Sequence, residues 1–440
     1  MNQAISSFQN IFRVPDLKKK LGFTFLAVAI YRLGAHLPLP GINAQALGML
    51  MQQLKQQGSA FGMMDIFVGG ALSRAAILFL GVMPYISASI IFQLLGSVFP
   101  QVEKLQRDQA GRRKITQYTR YLTVALALFQ AYGISFYLES QKFTGAAGII
   151  QIVYTPGWAF RLTAMLTLTC GAIFAMWIGE QITEKGIGNG ISFIIFIGCL
   201  EEYPSYFFRT IQMVLTQGLS IINLILVLVI MVFIVAAVIV MTQAVRKIPV
   251  QYPKRIVGRR MYGGQSTFLP IRVNTAGVIP IIFAQSLVVF PSTVAAYVPA
   301  LKQLTTSFRP GFWGYDIIFF ALIVFFTYFY TSIVFNPVEL ADNMKRYGGF
   351  IPGIRPGPKT AEYVDTVLSR VTMPGALFLG FIALVPWYLI NFLNIPFYFG
   401  GTTLLIIVGV ALDTLQQIES QLMMYHYEGF MKKGKIRGRR

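Results

Sequence analysis

Ten apolar stretches, each close to twenty residues long, limit what this chain can fold into. A helix needs about 20 mostly apolar residues to cross the hydrocarbon layer. Backbone groups in lipid must pair within their own segment, which favours helices over open strands. The stretches therefore predict an all-α polytopic membrane protein with ten transmembrane helices. They cover approximately residues 21–39, 75–97, 116–137, 158–179, 187–204, 219–243, 274–298, 314–336, 372–393 and 396–418.

The composition agrees with this class and predicts an orientation. Hydrophobic residues make up 55% of the chain and charged residues 12%, yet 37 lysines and arginines give a net charge of +20. Most of these cations fall in the two termini and in alternate loops, chiefly 98–115, 244–273 and 337–371. Cytoplasmic loops carry the excess of lysine and arginine, so we expect both termini on the cytoplasmic side of the membrane.

A Gly-Val-X-Pro tetrapeptide occurs in both the second and the seventh stretch, at residues 81–84 and 277–280. Ten spans form two groups of five, and an odd number per group inverts the second group in the membrane. The repeat predicts two inverted halves, residues 1–210 and 211–425, before a basic tail at 426–440. Chance is the alternative, because glycine and proline are common in membrane spans.

A further apolar segment, "FGMMDIFVGGALSRAAI" at residues 61–77, is too short to cross the membrane before it reaches Ser73 and Arg74. It suits a short helix that dips into a protein-lined cavity. It equally suits a helix that lies on the outer leaflet. Composition alone does not separate these two interpretations.

The residues of an enzyme or of an ion-coupled transporter are not found in the sequence. His36 and His426 are predicted on opposite faces of the membrane, and no phosphate-binding loop motif occurs. A secondary transporter would need an ionisable residue near the bilayer centre, and a lipid-modifying enzyme would need paired acids or histidines at a membrane boundary. We therefore predict a protein that is not an enzyme and has no cofactor. The acids near the spans lie at predicted boundaries: Asp65, Glu180, Asp316 and Asp413.

Six long motifs resemble the SecY family, the large subunits of the bacterial protein-conducting channel. They follow one another in the family's order: "GGALSRAAILFLGVMPYISASIIFQLL", "RRKITQYTRY", "WIGEQITEKGIGNGIS", "NTAGVIPIIFA", "FNPVELADNMKRYGGFIPGIRPG" and "PFYFGGTTLLI". The resemblance implies two inverted halves, hinged between spans five and six, around an hourglass pore. It also implies passage of unfolded secretory polypeptides across the cytoplasmic membrane, with lateral release of apolar segments into the lipid.

The resemblance also assigns residues to the parts of such a channel. A ring of branched aliphatic side chains closes the pore because it offers water and ions nothing to replace their hydration; it comprises Val82, Ile86, Ile187, Ile191, Ile279 and Ile406. The plug is the segment of about 61–74, with Phe61, Asp65, Phe67, Gly69, Gly70, Ser73 and Arg74. The lateral gate comprises Pro84, Ser87, Ile91, Pro280 and Phe283. Glycine and proline in both gate helices are expected to weaken backbone hydrogen bonding and to allow flexing.

The basic loops are the predicted docking surface for cytoplasmic partners. The stretch "KRIVGRRMYGGQSTFLPIRV" predicts a projecting hairpin around Gly263 and Gly264, and clustered arginine suits ribosomal RNA or an acidic protein surface. The resemblance implies a translating ribosome, a SecA motor ATPase and small SecE- and SecG-type membrane subunits as partners. The predicted contact residues are Lys254, Arg255, Arg259, Arg260 and Arg355.

The loop "GGFIPGIRPGPKT", residues 348–360, is predicted to be stiff rather than flexible. Proline fixes φ and glycine permits tight turns, so together they can hold one loop shape. The resemblance places Arg355 at its tip, as the residue on which motor-driven translocation depends. The alternative, that Arg355 only satisfies the positive-inside rule, is weaker because Lys345 and Arg346 already supply charge there.

Overall fold

The computed structural model describes residues 14–56, 65, 68–140, 142–145, 148–216, 221–252, 255–257, 260–262, 266–297, 311–393 and 401–433. The elements as far as span five are α1 (Pro15–Gly34), α2 (Ala44–Gln56), α3 (Met83–Val98), α4 (Pro100–Arg107), α5 (Gln109–Ser140), β1 (Lys142–Gly145), β2 (Gly148–Gln151), α6 (Trp158–Lys185) and α7 (Gly190–Leu215). The remaining elements are α8 (Ile221–Gln243), β3 (Val245–Gln251), β4 (Arg255–Val257), β5 (Arg260–Tyr262), β6 (Ser266–Arg272), α9 (Ile279–Tyr297), α10 (Trp313–Val334), α11 (Pro337–Arg346), α12 (Pro358–Leu393) and α13 (Gly401–Lys433).

A helix overlaps each of the ten predicted spans, namely α1, α3, α5 to α10, α12 and α13. Within the described residues, six stretches have the length and apolar composition to cross a membrane unaided, and they lie in α5, α6, α8, α10, α12 and α13. The pair α3 and α4, bent by 115° at their junction, adds a seventh. The all-α polytopic class is therefore confirmed.

Contacts between residues divide the chain into two compact units. One unit holds Met1–Gln212, Ser286–Phe312 and Val410–Arg440, and the other holds Met213–Gln285 and Trp313–Gly409. The first boundary falls two residues from the predicted division at 210/211. The division into inverted halves remains a prediction, since α9 and α13 each contribute residues to both units.

The Gly-Val-X-Pro tetrapeptide starts a helix in the same way in both places. Gly81 and Gly277 have positive φ angles of 51° and 64°, and α3 and α9 each begin at the residue before the proline. A proline in the first turn removes no helical hydrogen bond and presets the backbone for a helix. The prolines therefore do not weaken the gate helices, and the expectation that they add flexibility is wrong.

The second predicted span begins later than expected. Residues 69–82 form a series of turns, and the helix starts only at Met83. Backbone bonds run from Ile77 N to Leu37 O at 2.9 Å and from Leu39 N to Ala75 O at 2.6 Å. The turns thus pair with the chain that follows α1, which satisfies backbone groups without a helix.

A small module forms between the spans of the second unit. Strands β3 and β6 pair antiparallel over seven residues each, so a hairpin is present as predicted, and Phe350 bonds to Gln251 through both of its backbone groups. Strands β4 and β5 pair in the same register, so the chain reverses between Val257 and Arg260. The expected turn at Gly263 and Gly264, which lie outside the described residues, is therefore wrong; those residues only connect β5 to β6. The apolar core of this loop module consists of Ile248, Val250, Ile271, Met344, Ile351, Val364 and Leu368.

The contact between α6 and α7 depends on the absence of a side chain at Gly190. A Cβ there would overlap the carbonyl oxygen of Gly179 and lie 2.8 Å from Cβ of Ile182. We expect Gly190→Ala to lower the free energy of unfolding by about 1–3 kcal/mol, because an overpacked site forces the backbone apart. Thermal unfolding in detergent measures the change.

The matched control is Gly22→Ala in α1, where no atom lies within 4 Å of the added methyl group. Alanine favours a helix over glycine, so this variant should unfold at the wild-type temperature or slightly above it. Equal unfolding temperatures for the two variants would contradict the predicted close contact at Gly190.

Candidate functional site

The predicted plug segment is buried where the structure describes it. Residues 68–72 are all buried, and Ala71 and Leu72 expose none of their surface. A helix on the membrane surface would leave one face in water, so the interfacial alternative does not fit these residues. Two of the predicted plug residues, Phe61 and Phe67, lie outside the described residues.

Asp65 closes this segment into a compact loop. Its carboxylate is fully buried, and its Oδ1 accepts a hydrogen bond from the backbone N–H of Ser73 at 3.1 Å. The Ser73 hydroxyl donates to Oδ2, and the N–H of Gly70 donates to the Asp65 carbonyl at 2.9 Å. Two of the predicted plug residues, Asp65 and Ser73, are therefore direct partners.

Arg74 and Arg32 meet on one carboxylate beside the plug segment. Arg74 Nη2 donates to Glu201 Oε1 at 2.6 Å, and Arg32 Nη1 donates to Glu201 Oε2. The same two side chains also approach the carbonyl oxygen of Gly69, at 3.4 Å and 3.5 Å. From the sequence, Glu201 has no role beyond ending the apolar part of span five. Both of its partners are more than a hundred residues away along the chain, so no local pattern indicated these contacts.

Five of the six predicted ring residues lie within a helix or immediately before one. Val82 immediately precedes α3, Ile86 lies in its first turn, and Ile406 lies in α13; all three are buried. Ile191 and Ile279 are half-buried near the starts of α7 and α9. Membership of the ring stays a prediction for these five residues.

Ile187, the sixth predicted ring residue, lies instead in an apolar cluster at the start of α1. It precedes α7 and packs with Val14 and Leu17 at the start of α1, and its N–H donates to Thr24 Oγ1 at 3.2 Å. That end of α1 carries three consecutive lysines, Lys18 to Lys20, which belong at a membrane surface. A mid-membrane ring residue cannot lie there, so we remove Ile187 from the ring.

The repeat points to a residue that the sequence prediction missed. Ile86 N donates to Val82 O at 3.1 Å at the start of α3, and Ile282 N donates to Val278 O at 3.3 Å at the start of α9. Ile282 is therefore the equivalent of Ile86, and it is 7% exposed. Aligning the two tetrapeptides and counting forward would have found it, whereas Ile279 corresponds to Met83.

The predicted gate residues lie along α3 and α9. Ser87 is half-buried and Ile91 is exposed on α3, while Phe283 on α9 packs edge-to-face on Phe326 of α10 at 5.8 Å. Helices α3 and α9 touch where Ser286 Oγ donates to Met83 Sδ at 3.8 Å. Hydrogen bonds to sulfur are weak, so this contact costs little to open. Pro84 and Pro280 are buried in the first turns of α3 and α9.

Arg355 is exposed on a loop that is held at both sides. Ile351 is buried in the core of the loop module, and Thr360, also buried, donates from Oγ1 to the Arg355 carbonyl at 2.9 Å. Gly353 and Gly357 take positive φ angles of 82° and 112°, which glycine adopts without strain. The loop shape is therefore fixed by turns and packing, as its glycines and prolines predicted.

The other predicted docking residues lie on the hairpin of the loop module or just beside its described parts. Arg255 is on β4 and Arg260 is on β5, and these two strands pair antiparallel. Lys254 and Arg259 lie outside the described residues. The placement of Arg255 and Arg260 on a short ribbon fits the predicted projecting hairpin.

The amino-acid sequence matches one known family over most of its length. The SecY family model matches residues 76–415. The Protein translocase subunit SecY of Aquifex aeolicus is 45% identical over 96% of this chain and 98% of its own length. The Escherichia coli K12 protein of the same name is 44% identical over 96% of both chains.

Solved structures share the fold at lower sequence identity. A protein-conducting channel has a TM-score of 0.64 at 16% identity and covers 92% of both chains. A SecY channel whose plug domain stabilises its closed state has a TM-score of 0.63 at 18% identity, again over 92% of both chains. Because the family model and relatives at 44–45% identity both cover most of its length, this chain belongs to the SecY family.

Proposed function

We propose that this chain is the central subunit of a protein-conducting channel in the cytoplasmic membrane of a bacterium, with both termini in the cytoplasm. It passes unfolded secretory polypeptides across the membrane and releases apolar segments sideways into the lipid. The observation that supports the proposal is the short apolar segment that ends at Ser73 and Arg74: residues 68–72 are buried, as a plug requires, in a chain of the SecY family.

The pore is sealed by a ring of branched aliphatic side chains. Such a narrow ring excludes water and ions because it offers no polar group to replace their hydration, and it deforms around a passing chain. Ile282 joins the ring as the equivalent of Ile86 in the repeat. The ring then consists of Val82, Ile86, Ile191, Ile282 and Ile406, with Ile279 beside it at the start of α9.

Lateral release is a partition between the pore and the lipid. Leucine, isoleucine and phenylalanine each gain about 0.3–0.6 kcal/mol at the centre of a membrane helix, and aspartate, lysine or arginine costs about 2.5–3.5 kcal/mol. A signal sequence therefore enters the lipid and an ordinary secreted segment does not. The exit is the seam between α3 and α9, where the weak bond from Ser286 to Met83 is readily broken.

The channel is passive and takes its energy from partners, since the sequence has no phosphate-binding loop. A SecA motor ATPase and a translating ribosome dock on the loop module, and SecE- and SecG-type subunits lie beside the channel in the membrane. A ribosome-bound Sec61 channel has the same fold, with a TM-score of 0.61 at 16% identity over 92% of both chains, which supports a ribosome partner.

Reconstitution tests the proposal directly. The chain is incorporated into vesicles with its small subunits and the motor ATPase, and a secretory precursor is added with ATP. We expect the precursor to become resistant to external protease, and to remain sensitive when ATP is withheld. Failure to protect the precursor, together with uptake of a small solute, would show a secondary transporter instead.

A further inference from the structure

The contacts of Glu201 join three separate parts of the first unit. Arg32 lies in the last turn of α1, Glu201 lies within α7, and Arg74 ends the plug segment. The side chains of Arg32 and Glu201 are 18% and 21% exposed, and that of Arg74 is 37% exposed. Ion pairs that are partly removed from water are screened less than exposed ones, so these contacts hold the segment more strongly than surface pairs would.

The two arginines have different roles in this cluster. Arg32 donates to Glu201 Oε2 through Nη1 and to the Ile197 carbonyl through Nη2, so its shortest contacts tie α1 to α7. Arg74 bonds to the remaining oxygen, Glu201 Oε1, at 2.6 Å. His36 Nε2 also approaches that oxygen, at 3.9 Å. The ion pair that breaks when the plug segment leaves is therefore Arg74–Glu201, together with the longer contacts of both arginines to the Gly69 carbonyl.

Gly69 presses the backbone of the plug segment against the same carboxylate. A Cβ at this position would lie 2.9 Å from Glu201 Oε2 and 3.0 Å from Cα of Gly198. Its φ angle is 71°, which glycine adopts without strain. Its carbonyl lies 3.4 Å from Arg74 Nη1 and 3.5 Å from Arg32 Nη1. Charge and shape therefore fix one position for the segment.

We infer that Arg32, Glu201, Arg74 and the Gly69 carbonyl form a latch that holds the plug segment in the closed channel. The inference rests on the proposed function, since only a channel has a closed state to stabilise. Arg32 and Glu201 are the fixed part of the latch on α1 and α7, and Arg74 with Gly69 is the part that is released. A translocating chain opens the pore only after the Arg74–Glu201 pair is broken, so the pair sets the resting probability of opening.

Single-channel recording in planar bilayers tests the latch on the full chain with its small subunits. Glu201→Gln removes the charge but keeps the shape, and it leaves both arginines without a counter-charge. We expect the resting open probability to rise about tenfold, because a charge-assisted hydrogen bond contributes only in the closed state. Arg74→Met leaves the Arg32–Glu201 pair intact; it should open several-fold more often than wild type, and it covers the case in which Glu201→Gln fails to fold.

The matched control is Glu139→Gln, which breaks an ion pair of similar geometry away from the plug segment. Glu139 bonds to Arg161 Nη2 at 2.6 Å and joins the end of α5 to the start of α6. The open probability of the Glu139→Gln channel should equal that of wild type. Deletion of residues 61–72 shows separately whether a plug closes the pore. If the deletion variant leaks while Glu201→Gln and Arg74→Met stay closed, the proposed channel function is supported and the proposed latch is wrong. If all three stay closed, both are overturned.

Discussion

Replacing Arg355 by glutamate is expected to lower motor-driven translocation by a factor of about one hundred, the loss typical of a charge-reversed contact at the centre of an interface. Arg355 is exposed at a loop that Ile351 and Thr360 anchor on either side. Such a loop holds the backbone of Arg355 in one conformation, so the partner meets a side chain whose point of attachment is fixed. The measurement is the initial rate of ATP-dependent protection of a precursor in reconstituted vesicles.

Arg355→Lys separates geometry from charge. Lysine keeps the charge but lacks the planar fork that binds carboxylates through two bonds, so we expect a loss of at least about tenfold, while topology is retained. Arg370→Glu, an exposed site on α12, makes the same charge change as Arg355→Glu and should leave the rate nearly unchanged. A lysine variant that works as well as wild type would reduce Arg355 to a topological charge.

Three serines in the proposed ring should make the resting channel leak. In the variant with Ile86→Ser, Ile282→Ser and Ile406→Ser, hydroxyl groups let water enter the constriction, and we expect the ion conductance at rest to rise by about a hundredfold because gating by dewetting is lost. All three side chains are buried in the structure. Conductance of reconstituted channels in planar bilayers measures the leak.

Two further variants test which residues make the ring. Ile187→Ser changes a residue of the cluster at the start of α1, so it should destabilise the fold without raising conductance. A second triple variant carries Ile279→Ser in place of Ile282→Ser, so that Ile282 is kept. It should retain most of the seal. A leak as large with Ile279 as with Ile282 would contradict the equivalence drawn from the two helix starts.

The sequence predicted the membrane-spanning helices well because span length and apolarity depend on local composition. A helix overlaps each predicted span. The hairpin before α9 was also predicted, but its turn was expected at Gly263 and Gly264 and lies between Val257 and Arg260. The start of α3 was wrong by eight residues because positive φ angles at Gly69, Gly70, Ala75 and Gly81 impose turns that apolarity does not reveal. The hairpin of β1 and β2 was not predicted at all.

The candidate site was harder to predict because its contacts join distant parts of the chain. Glu201 is 127 residues from Arg74 and 169 from Arg32, so no local pattern links them. Ile187 was assigned to the ring by resemblance alone, and only its packing on Val14 and Leu17 shows that it lies elsewhere. Ile282 was open to prediction, since both helix starts carry the same tetrapeptide.

The turns between Gly70 and Val82 give the plug segment a tether to α3. These turns are held by short-range bonds such as Ala76 N to Ala71 O at 2.8 Å, and by the bonds from Ile77 N to Leu37 O and from Leu39 N to Ala75 O. They extend only when both sets of bonds are broken. Fully drawn out, residues 70–82 reach roughly 45 Å at 3.3–3.6 Å per residue. That reach exceeds the hydrocarbon thickness of about 30 Å, so the tether is long enough for the proposed plug to leave the proposed pore while the start of α3 stays where it is.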